Sequence, residues 1–199
     1  GFESTRSIIA KKRSEESGLN IDANAVCMTV GAAAAMNDVL HSLLDDGDEV
    51  IVLAPYFMEY NSYIDNHGGK VVIVQTDDGF MPDIAKIEAA ITERTKAIII
   101  NSPNNPSGVV YSKELLCELN KALLAQDHLI HVISDEPYIE LAYDGIEVPA
   151  ALDCFDNLII CYSWSKALSL PGERIGYTLV SPKHADFEEL TAEILLSNR

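Results

Sequence analysis

The amino-acid sequence predicts an α/β fold in which helices cover both faces of a mostly parallel β-sheet. Short apolar runs, typical of buried strands, alternate along the chain with longer segments of helical periodicity. Polar clusters follow several of these runs directly, as expected where parallel strands end at one edge of a sheet. The chain has 199 residues, of which 48% are hydrophobic and 23% charged, and this size and composition are typical of one globular domain.

The elements are predicted in order from their apolar patterns. The first is a charged helix at 2–16, closed by Gly18 because glycine often ends a helix. Strands are predicted at 26–30, 49–53, 71–74, 97–100, 129–133, 158–161 and 174–180. The other helices are predicted at 32–44, 56–66, 82–91, 112–125 and 182–196. Pro82 suits a first helical turn, and Ser112 is the expected N-cap of a helix whose inward residues are Leu115, Leu116, Leu119 and Leu123.

Charge and cysteine usage narrow the possible partners and location. The net charge of −17, from 14 basic and 31 acidic residues, argues against nucleic acid and anionic membrane surfaces as partners. No apolar run is long enough to span a bilayer, and no signal peptide opens the chain. The cysteines show no C-x-x-C pairing, so we expect free thiols and a reducing, cytoplasmic location. His128 and His131 have no acidic or cysteine partner at a suitable spacing, so we predict no metal site.

The most informative cluster is Ser-Trp-Ser-Lys at 163–166, which follows the strand at 158–161 and precedes Arg174. A lysine at the carboxyl edge of a sheet can be desolvated, lose its proton and attack a carbonyl. Serine hydroxyls and a guanidinium together suit a dianion such as phosphate. This combination points to pyridoxal phosphate, an aldehyde that carries a phosphate. Taken alone, the cluster is also explained by an exposed lysine in a polar turn.

Other strand ends carry polar groups of different kinds. Asn-Ser-Pro-Asn-Asn-Pro-Ser-Gly at 101–108 follows one strand, and Asp-Glu-Pro-Tyr at 135–138 follows the next. Ordinary turn chemistry explains either cluster alone, but it does not explain why their functional groups complement each other. Gly-Ala-Ala at 31–33 joins a strand to a helix, where small side chains let an anion approach the positive helix N-terminus. This last segment is also typical of a simple tight turn.

The order of these motifs matches a known family. The sequence contains Asn-Asn-Pro-Ser-Gly at 104–108, Asp-Glu-Pro-Tyr at 135–138, Ser-Trp-Ser-Lys at 163–166 and Arg-Ile-Gly at 174–176. On these motifs, and over almost its whole length, it resembles the class I/II aminotransferases of the aspartate aminotransferase fold, known as fold type I. The resemblance implies the large domain of that fold. This domain has three α/β/α layers around a mostly parallel seven-stranded sheet with one antiparallel strand, here the strand at 174–180.

The resemblance also implies a role for each site residue. Lys166 would form a Schiff base with pyridoxal phosphate and carry the proton, Asp135 would pair with the ring nitrogen, and Tyr138 would donate to the phenolic oxygen. The cofactor-binding residues would be Gly31, Ala32, Ala33, Phe57, Asn105, Asp135, Tyr138, Ser163, Ser165, Lys166 and Arg174. Phe57 is preferred to Tyr56 as the aromatic that stacks on the ring. Cis peptide bonds are predicted at 54–55 and 105–106.

By the same resemblance, residues 1–199 are the cofactor-binding large domain of a longer enzyme, a fragment without the N-terminal arm and the C-terminal small domain. We expect this fragment to be inactive alone. The whole protein would be a cytoplasmic homodimer that transfers an amino group between an amino acid and a 2-oxo acid in a biosynthetic process. Three alternatives stay open, namely a carbon–sulfur β-lyase on the same scaffold, the aminotransferase-like sensor domain of a transcription regulator, and a degenerate domain without cofactor.

Overall fold

The structure is a computed structural model that describes all residues from Gly1 to Arg199. Its strands are β1 (Val26–Thr29), β2 (Glu49–Ala54), β3 (Lys70–Gln75), β4 (Thr95–Asn101), β5 (His131–Asp135), β6 (Leu158–Ser163) and β7 (Gly176–Val180). Its helices are α1 (Glu3–Ser17), α2 (Gly31–Leu43), α3 (Glu59–Asp65), α4 (Ile84–Ala90), α5 (Lys113–Leu124), α6 (Ala151–Cys154), α7 (Trp164–Ala167) and α8 (Phe187–Ser197). A 3₁₀ turn at Ala23–Ala25 precedes β1.

The strands form a single seven-stranded sheet in the order β1-β7-β6-β5-β4-β2-β3. The pairs β2–β3, β2–β4, β4–β5 and β5–β6 are parallel, whereas β7 is antiparallel to both of its neighbours, β6 and β1. The connection from β6 to β7 contains only the four-residue helix α7 and a loop, so no crossover helix returns the chain to the opposite edge. The predicted sheet, with its one antiparallel strand, is confirmed.

The two faces of the sheet are covered by separate hydrophobic cores. Along β4, Ile98 and Ile100 face one core, and Ala97 and Ile99 face the other, because successive side chains of a strand point to opposite faces. The first core contains buried residues of α1, α4, α5 and α6. The second contains buried residues of α2, α3 and α8. The molecule therefore has the predicted three-layer α/β/α architecture.

Every predicted helix and strand is present, with shifted ends. Helix α3 begins at Glu59 and not at 56, because residues 55–58 form a turn that carries Phe57. Helix α8 begins at Phe187 and not at 182, since a turn at 181–184 places the buried side chain of His184 against His131 at the start of β5. Helices α6 and α7 were not predicted, because four residues are too few to show a helical period. Ser112 caps α5 as predicted, its hydroxyl accepting from the Leu115 N–H.

Smaller sequence predictions can be compared with the structure directly. The predicted cis bonds at Ala54–Pro55 and Asn105–Pro106 are confirmed, and Ser102–Pro103 is a further cis bond that was not predicted. The cysteines are all free thiols; Cys117 is half-buried and the others are buried. His128 bonds the Thr95 carbonyl oxygen, and His131 bonds His184, so both imidazoles have structural contacts. No helix combines the length and the apolar character that a membrane crossing requires.

Candidate active site

A cavity of about 300 Å³ opens at the carboxyl edge of the sheet. It lies where β5 and β6 end and where the loops after β2 and β4 reach the N-terminal half of α2. All of the predicted cofactor-binding residues except Gly31 line it, namely Ala32, Ala33, Phe57, Asn105, Asp135, Tyr138, Ser163, Ser165, Lys166 and Arg174. Residues from six separated segments of the chain therefore converge, because the parallel strands end, and the antiparallel β7 begins, at one edge of the sheet.

One corner of the cavity is formed by the first turn of α2 and by Arg174. Gly31 has φ +81°, and a Cβ built on it would lie 2.8 Å from Nη2 of Arg174, so only glycine lets the guanidinium lie against this turn. Val30, the residue before the helix, makes no side-chain cap, so the first N–H groups of α2 are free for a ligand. Ala32 and Ala33 keep the approach open. This corner suits an anion such as a phosphate.

The two serines stand beside the same corner. The Ser163 hydroxyl donates to Oγ of Ser165 at 2.8 Å, and the Ser165 N–H donates to Oγ of Ser163 at 3.0 Å. Ser163 is thereby the N-cap of α7, the short helix that carries Lys166. Arg174 has φ +52° and donates from Nη1 to the Pro171 carbonyl oxygen at 3.1 Å. These hydroxyls and the guanidinium are the charged and polar groups that a phosphate would meet.

Asp135 forms the floor of the cavity and is almost completely buried. Oδ2 accepts a hydrogen bond of 2.6 Å from the Tyr60 hydroxyl, whereas Oδ1 has no partner. Burial raises the pKa of Asp135 to about 6; the bond from Tyr60 lowers it, and the neighbouring Glu136 carboxylate raises it further. A buried carboxylate oxygen without a partner is costly, so it suits a positively charged donor that enters the cavity.

Asn105 and Tyr138 stand above this floor as hydrogen-bond donors. The Asn105 N–H donates to Oδ1 of Asn101 at 2.7 Å, and Nδ2 of Asn101 donates to the Asp135 carbonyl oxygen at 2.9 Å. The loop after β4 is thereby tied to the end of β5. Burial and the Asp135 charge raise the pKa of Tyr138, and a bond with the Asn105 side chain lowers it. Tyr138 therefore stays a neutral phenol that can donate a hydrogen bond.

Lys166 lies across the cavity from these donors, with Nζ 5.9 Å from the centroid of the Tyr138 ring. Its side chain is exposed in this chain. The expectation that the sheet edge desolvates this lysine is therefore wrong for residues 1–199. The reason is that Lys166 follows the end of β6 on a short helix at the mouth of the cavity, above the buried layer that contains Asp135.

An aromatic wall closes another side. Phe57 is half-buried, lines the cavity and meets Tyr60 edge to face, with centroids 5.6 Å apart and an interplanar angle of 83°. Tyr56 instead lies behind this wall, parallel to Tyr60 at 6.4 Å, and donates to Oδ1 of Asn61. Phe57 thus lies in the cavity and Tyr56 outside it, and the stacking of Phe57 on a bound ring stays a prediction.

Several lining residues were missed by sequence reasoning. They are Met36, Glu59, Tyr60, Tyr63, Pro137 and Pro171. Tyr60 is the most important of them because it holds Asp135. No local signal in the sequence could have found it, because Phe57 lies in the turn before α3 and Tyr60 is 75 positions from Asp135.

These groups fit pyridoxal phosphate. The free helix N-terminus with Arg174 suits its phosphate, the unpartnered oxygen of Asp135 suits its protonated ring nitrogen, and Phe57 offers a flat apolar face. The donors Asn105 and Tyr138 suit its phenolic oxygen, and Lys166 supplies an amine for its aldehyde. No group of three or more His, Cys, Asp and Glu side chains in the structure could hold a metal ion.

A comparison with protein families identifies the class of protein. Residues 1–196 match the model of the family described as aminotransferase class I and II. The chain belongs to this family, and its cofactor is the family's cofactor, pyridoxal phosphate.

Individual relatives agree with this assignment. The chain is 40% identical over 179 residues to the aspartate/prephenate aminotransferase of Thermus thermophilus. This alignment covers 89% of the chain and 46% of that protein. It is 34% identical over 198 residues to the probable aspartate aminotransferase of Methanocaldococcus jannaschii, which covers 100% of this chain and 50% of that protein. The chain thus spans about half the length of the curated relatives that it matches.

Solved structures share the fold over nearly the whole chain. An amino transferase from Eubacterium rectale superposes with a TM-score of 0.96 at 42% identity, over 99% of this chain and 51% of that one. The aspartate aminotransferase of Thermus thermophilus with maleate superposes with a TM-score of 0.89 at 37% identity, over 99% of this chain and 50% of that one. The predicted fold type I architecture is confirmed by these neighbours.

Proposed function

We propose that this chain is the cofactor-binding large domain of an aminotransferase that moves an amino group between an amino acid and a 2-oxo acid. The observation that carries the proposal is the convergence, in one cavity, of the exposed Lys166 amine, the buried Asp135 carboxylate with its unpartnered Oδ1, and the anion corner at Arg174. The names of the relatives, which are aspartate or aspartate/prephenate aminotransferases, support this choice.

When bound, pyridoxal phosphate supplies a reactive carbonyl carbon and a ring that withdraws electrons from the substrate Cα. Asp135 holds a proton on the ring nitrogen by offering its free carboxylate oxygen, and Tyr60 keeps that carboxylate in place. Lys166 would supply the amine for the carbonyl carbon and would carry the proton from the substrate Cα.

The remaining residues fix the position of the ring. Ser163, Ser165, Arg174 and the first N–H groups of α2 anchor the phosphate, while Phe57 excludes water from one face. Asn105 and Tyr138 stabilise negative charge on the phenolic oxygen. We infer that these are the roles of all the predicted site residues, including Gly31, whose missing side chain makes room for Arg174.

The test is covalent mapping in the full-length protein. Reduction with borohydride after loading with pyridoxal phosphate should attach the cofactor to Lys166, as read from a peptide map. The same protein should transaminate aspartate with 2-oxoglutarate, the first pair to try because the relatives are named for aspartate. Label on another lysine at full cofactor occupancy would refute the site assignment.

The same assay separates the alternatives. Release of pyruvate and ammonia from cystathionine, without transamination, would identify a carbon–sulfur β-lyase. Stoichiometric cofactor binding with no turnover of any amino acid would favour a sensor domain. Failure to bind cofactor at all would favour a degenerate domain. No contact in the cavity favours any of these three over transamination.

We also propose that the full-length protein is a homodimer that acts in amino-acid biosynthesis in the cytoplasm. Support comes from an apolar groove beside the cavity, lined by Thr5, Met28, Trp164, Leu168, Leu170 and Ile175. Leu168 is 58% exposed and Ile175 is 43% exposed in this chain. Neighbouring exposed apolar side chains of this kind are typical of a surface that another part of the protein or a second subunit covers. Sedimentation of the full-length protein should give the mass of a dimer, and an active monomer would contradict this proposal.

A further inference from the structure

A buried cation lies behind the candidate active site, on the opposite face of the sheet. Arg13, on α1, is 6% exposed, and its Nη2 lies 3.0 Å from Oε2 of Glu136. Its Nε donates to the Tyr177 hydroxyl on β7 at 2.8 Å. On the outer side, Nη1 lies 3.3 Å from Oε2 of Glu16, one turn further along α1. Arg13 thus joins α1 to the sheet at the point where β5 ends.

Glu136 is the partner that links this cation to the cavity. It follows Asp135 directly, and its side chain is 5% exposed. Its second oxygen, Oε1, accepts from the Ser134 hydroxyl at 3.1 Å. Asp135 contacts Tyr60 of α3 on one face of the sheet, whereas Glu136 contacts Arg13 of α1 on the other. Two consecutive carboxylates are therefore buried on opposite faces, and only one of them has a cation in contact.

The charges around Asp135 make Glu136 its main electrostatic neighbour below pH 8. The phenols and the thiol that face Asp135 come from α3, from the segment after β5 and from β6, and burial raises the pKa of each of them: Tyr60, Tyr63, Tyr138 and Cys161. They stay neutral at physiological pH. Lys166, Arg174 and Glu59 are the other charged side chains that line the cavity, and none of them contacts Asp135. Around Glu136, the ionisable neighbours are Arg13, Glu16, Asp135, Tyr177 and Cys161.

We propose that Arg13 is a positioning residue which, by neutralising Glu136, keeps Asp135 ionised for the ring nitrogen of the cofactor. Arg13 neutralises the second carboxylate and fixes the segment that follows Asp135, so the Asp135 charge stays available in the cavity. The inference rests on the proposed role of Asp135. It extends the site to α1, a helix that contributes no residue to the cavity.

Changing either half of the pair should shift the pH dependence of cofactor binding, in opposite directions. Glu136→Gln removes a negative neighbour, so Asp135 should take up its proton at lower pH. Arg13→Met leaves a buried negative charge uncompensated, so proton uptake by the two carboxylates should move to higher pH. We expect each midpoint to move by roughly half a pH unit or more, since a neighbouring buried charge shifts pKa values by this amount or more.

The measurement is the dissociation constant of pyridoxamine phosphate for the full-length protein between pH 5 and 8. This form of the cofactor has no aldehyde, so Lys166 chemistry does not enter. Ionisations of the ligand itself are the same in every variant, so differences in midpoint report the protein. The matched control is Lys11→Met, which removes an exposed cation from the same helix. Its midpoint should equal that of the unchanged protein.

The inference would be overturned if the midpoint of the pH dependence of binding were unchanged in both Glu136→Gln and Arg13→Met. A merely structural pair would change the stability of the protein and not this midpoint. Should Arg13→Met not fold, Glu136→Gln alone decides the result, since its shift to lower pH is required. The proposed function fails in a different way, through the absence of cofactor label on Lys166 in the unchanged protein. The two failures are therefore distinguishable.

Discussion

Asp135 and Tyr60 form the contact on which the chemistry of the site depends most. A carboxylate buried this deeply would ordinarily hold its proton near neutral pH, and its pKa of about 6 reflects that burial. The short bond from Tyr60 opposes the effect of burial, since a donor stabilises the ionised form. One phenol thus helps to keep the carboxylate charged while Oδ1 stays without a partner.

Tyr60→Phe should raise the pKa of Asp135 above about 6, because the variant loses the bond that lowers it. As the pH is lowered, the affinity for pyridoxamine phosphate should then start to fall at a higher pH than in the unchanged protein. The dissociation constant measured at several pH values would give the shift. Tyr56→Phe is the matched control, since that hydroxyl bonds Asn61 and not Asp135. Equal midpoints in the two variants would show that Tyr60 only fills space.

At the scale of elements, the contact between β7 and the β1–α2 turn determines the shape of the anion corner. Gly176 opens β7, and a Cβ on it would lie 2.4 Å from the Tyr162 carbonyl oxygen and 2.9 Å from Cα of Gly31. These are backbone atoms, which cannot move aside as a flexible side chain can. Both neighbours of Gly176 must therefore stay in close contact for Arg174 to reach the first turn of α2.

Gly176→Ala should separate β7 from this turn, which would lower the free energy of unfolding by about 1–3 kcal/mol, the usual cost of overpacking. It should also weaken the binding of the cofactor phosphate. Chemical denaturation of the full-length protein would measure the change in the free energy of unfolding. The stabilisation of the protein by added inorganic phosphate would measure the change in phosphate binding. Gly172→Ala is the control, since a Cβ there meets no atom within 4 Å. A Gly176→Ala protein as stable as this control would contradict the close contact.

At the scale of the whole molecule, two buried histidines make the free energy of unfolding depend on pH. Nδ1 of His131 lies 2.9 Å from Nε2 of His184, at the end of the sheet opposite the cavity. Burial lowers the pKa of His131 to about 3, and that of His184 to about 4. In the unfolded chain each would be about 6.5. Their contribution to stability is therefore fully present above pH 6.5 and is lost as the pH falls towards 4, because the unfolded chain then binds more protons.

The expected slope is about 1.4 kcal/mol per pH unit for each histidine between pH 6 and 4. Asp135 has the opposite sign, since its raised pKa makes the folded chain gain a proton as the pH falls through 6. Asp135 is the same in the unchanged protein and in the double variant His131→Gln/His184→Gln. The difference between their free energies of unfolding therefore does not contain the contribution of Asp135. Urea unfolding at several pH values should show a flatter profile for the double variant, and parallel profiles would disprove the effect of the pair.

The sequence identified the residues of the site wherever they stand next to a strand end. Lys166, Asp135 and Asn105 each follow an apolar run within a few residues, so a local pattern was enough to place them at one edge of the sheet. The antiparallel β7 was expected from the family resemblance, and it agrees with a connection at 164–175 that holds only α7 and a loop. Short helices such as α7 escaped prediction since four residues carry no period.

Residue patterns along the chain were enough to predict the alternation of strands and helices, the sheet edge that carries the site, and the kinds of groups that meet there. Which of these groups touch depends on how the chain packs in three dimensions. Tyr60 lies 75 positions from the carboxylate it holds, and Arg13 lies 123 positions from Glu136. The exposure of Lys166 likewise depends on what packs over α7. Local periodicity reports the neighbours along the chain, whereas burial, pairing and pKa depend on neighbours in space, and those are set by how the helices pack on the two faces of the sheet.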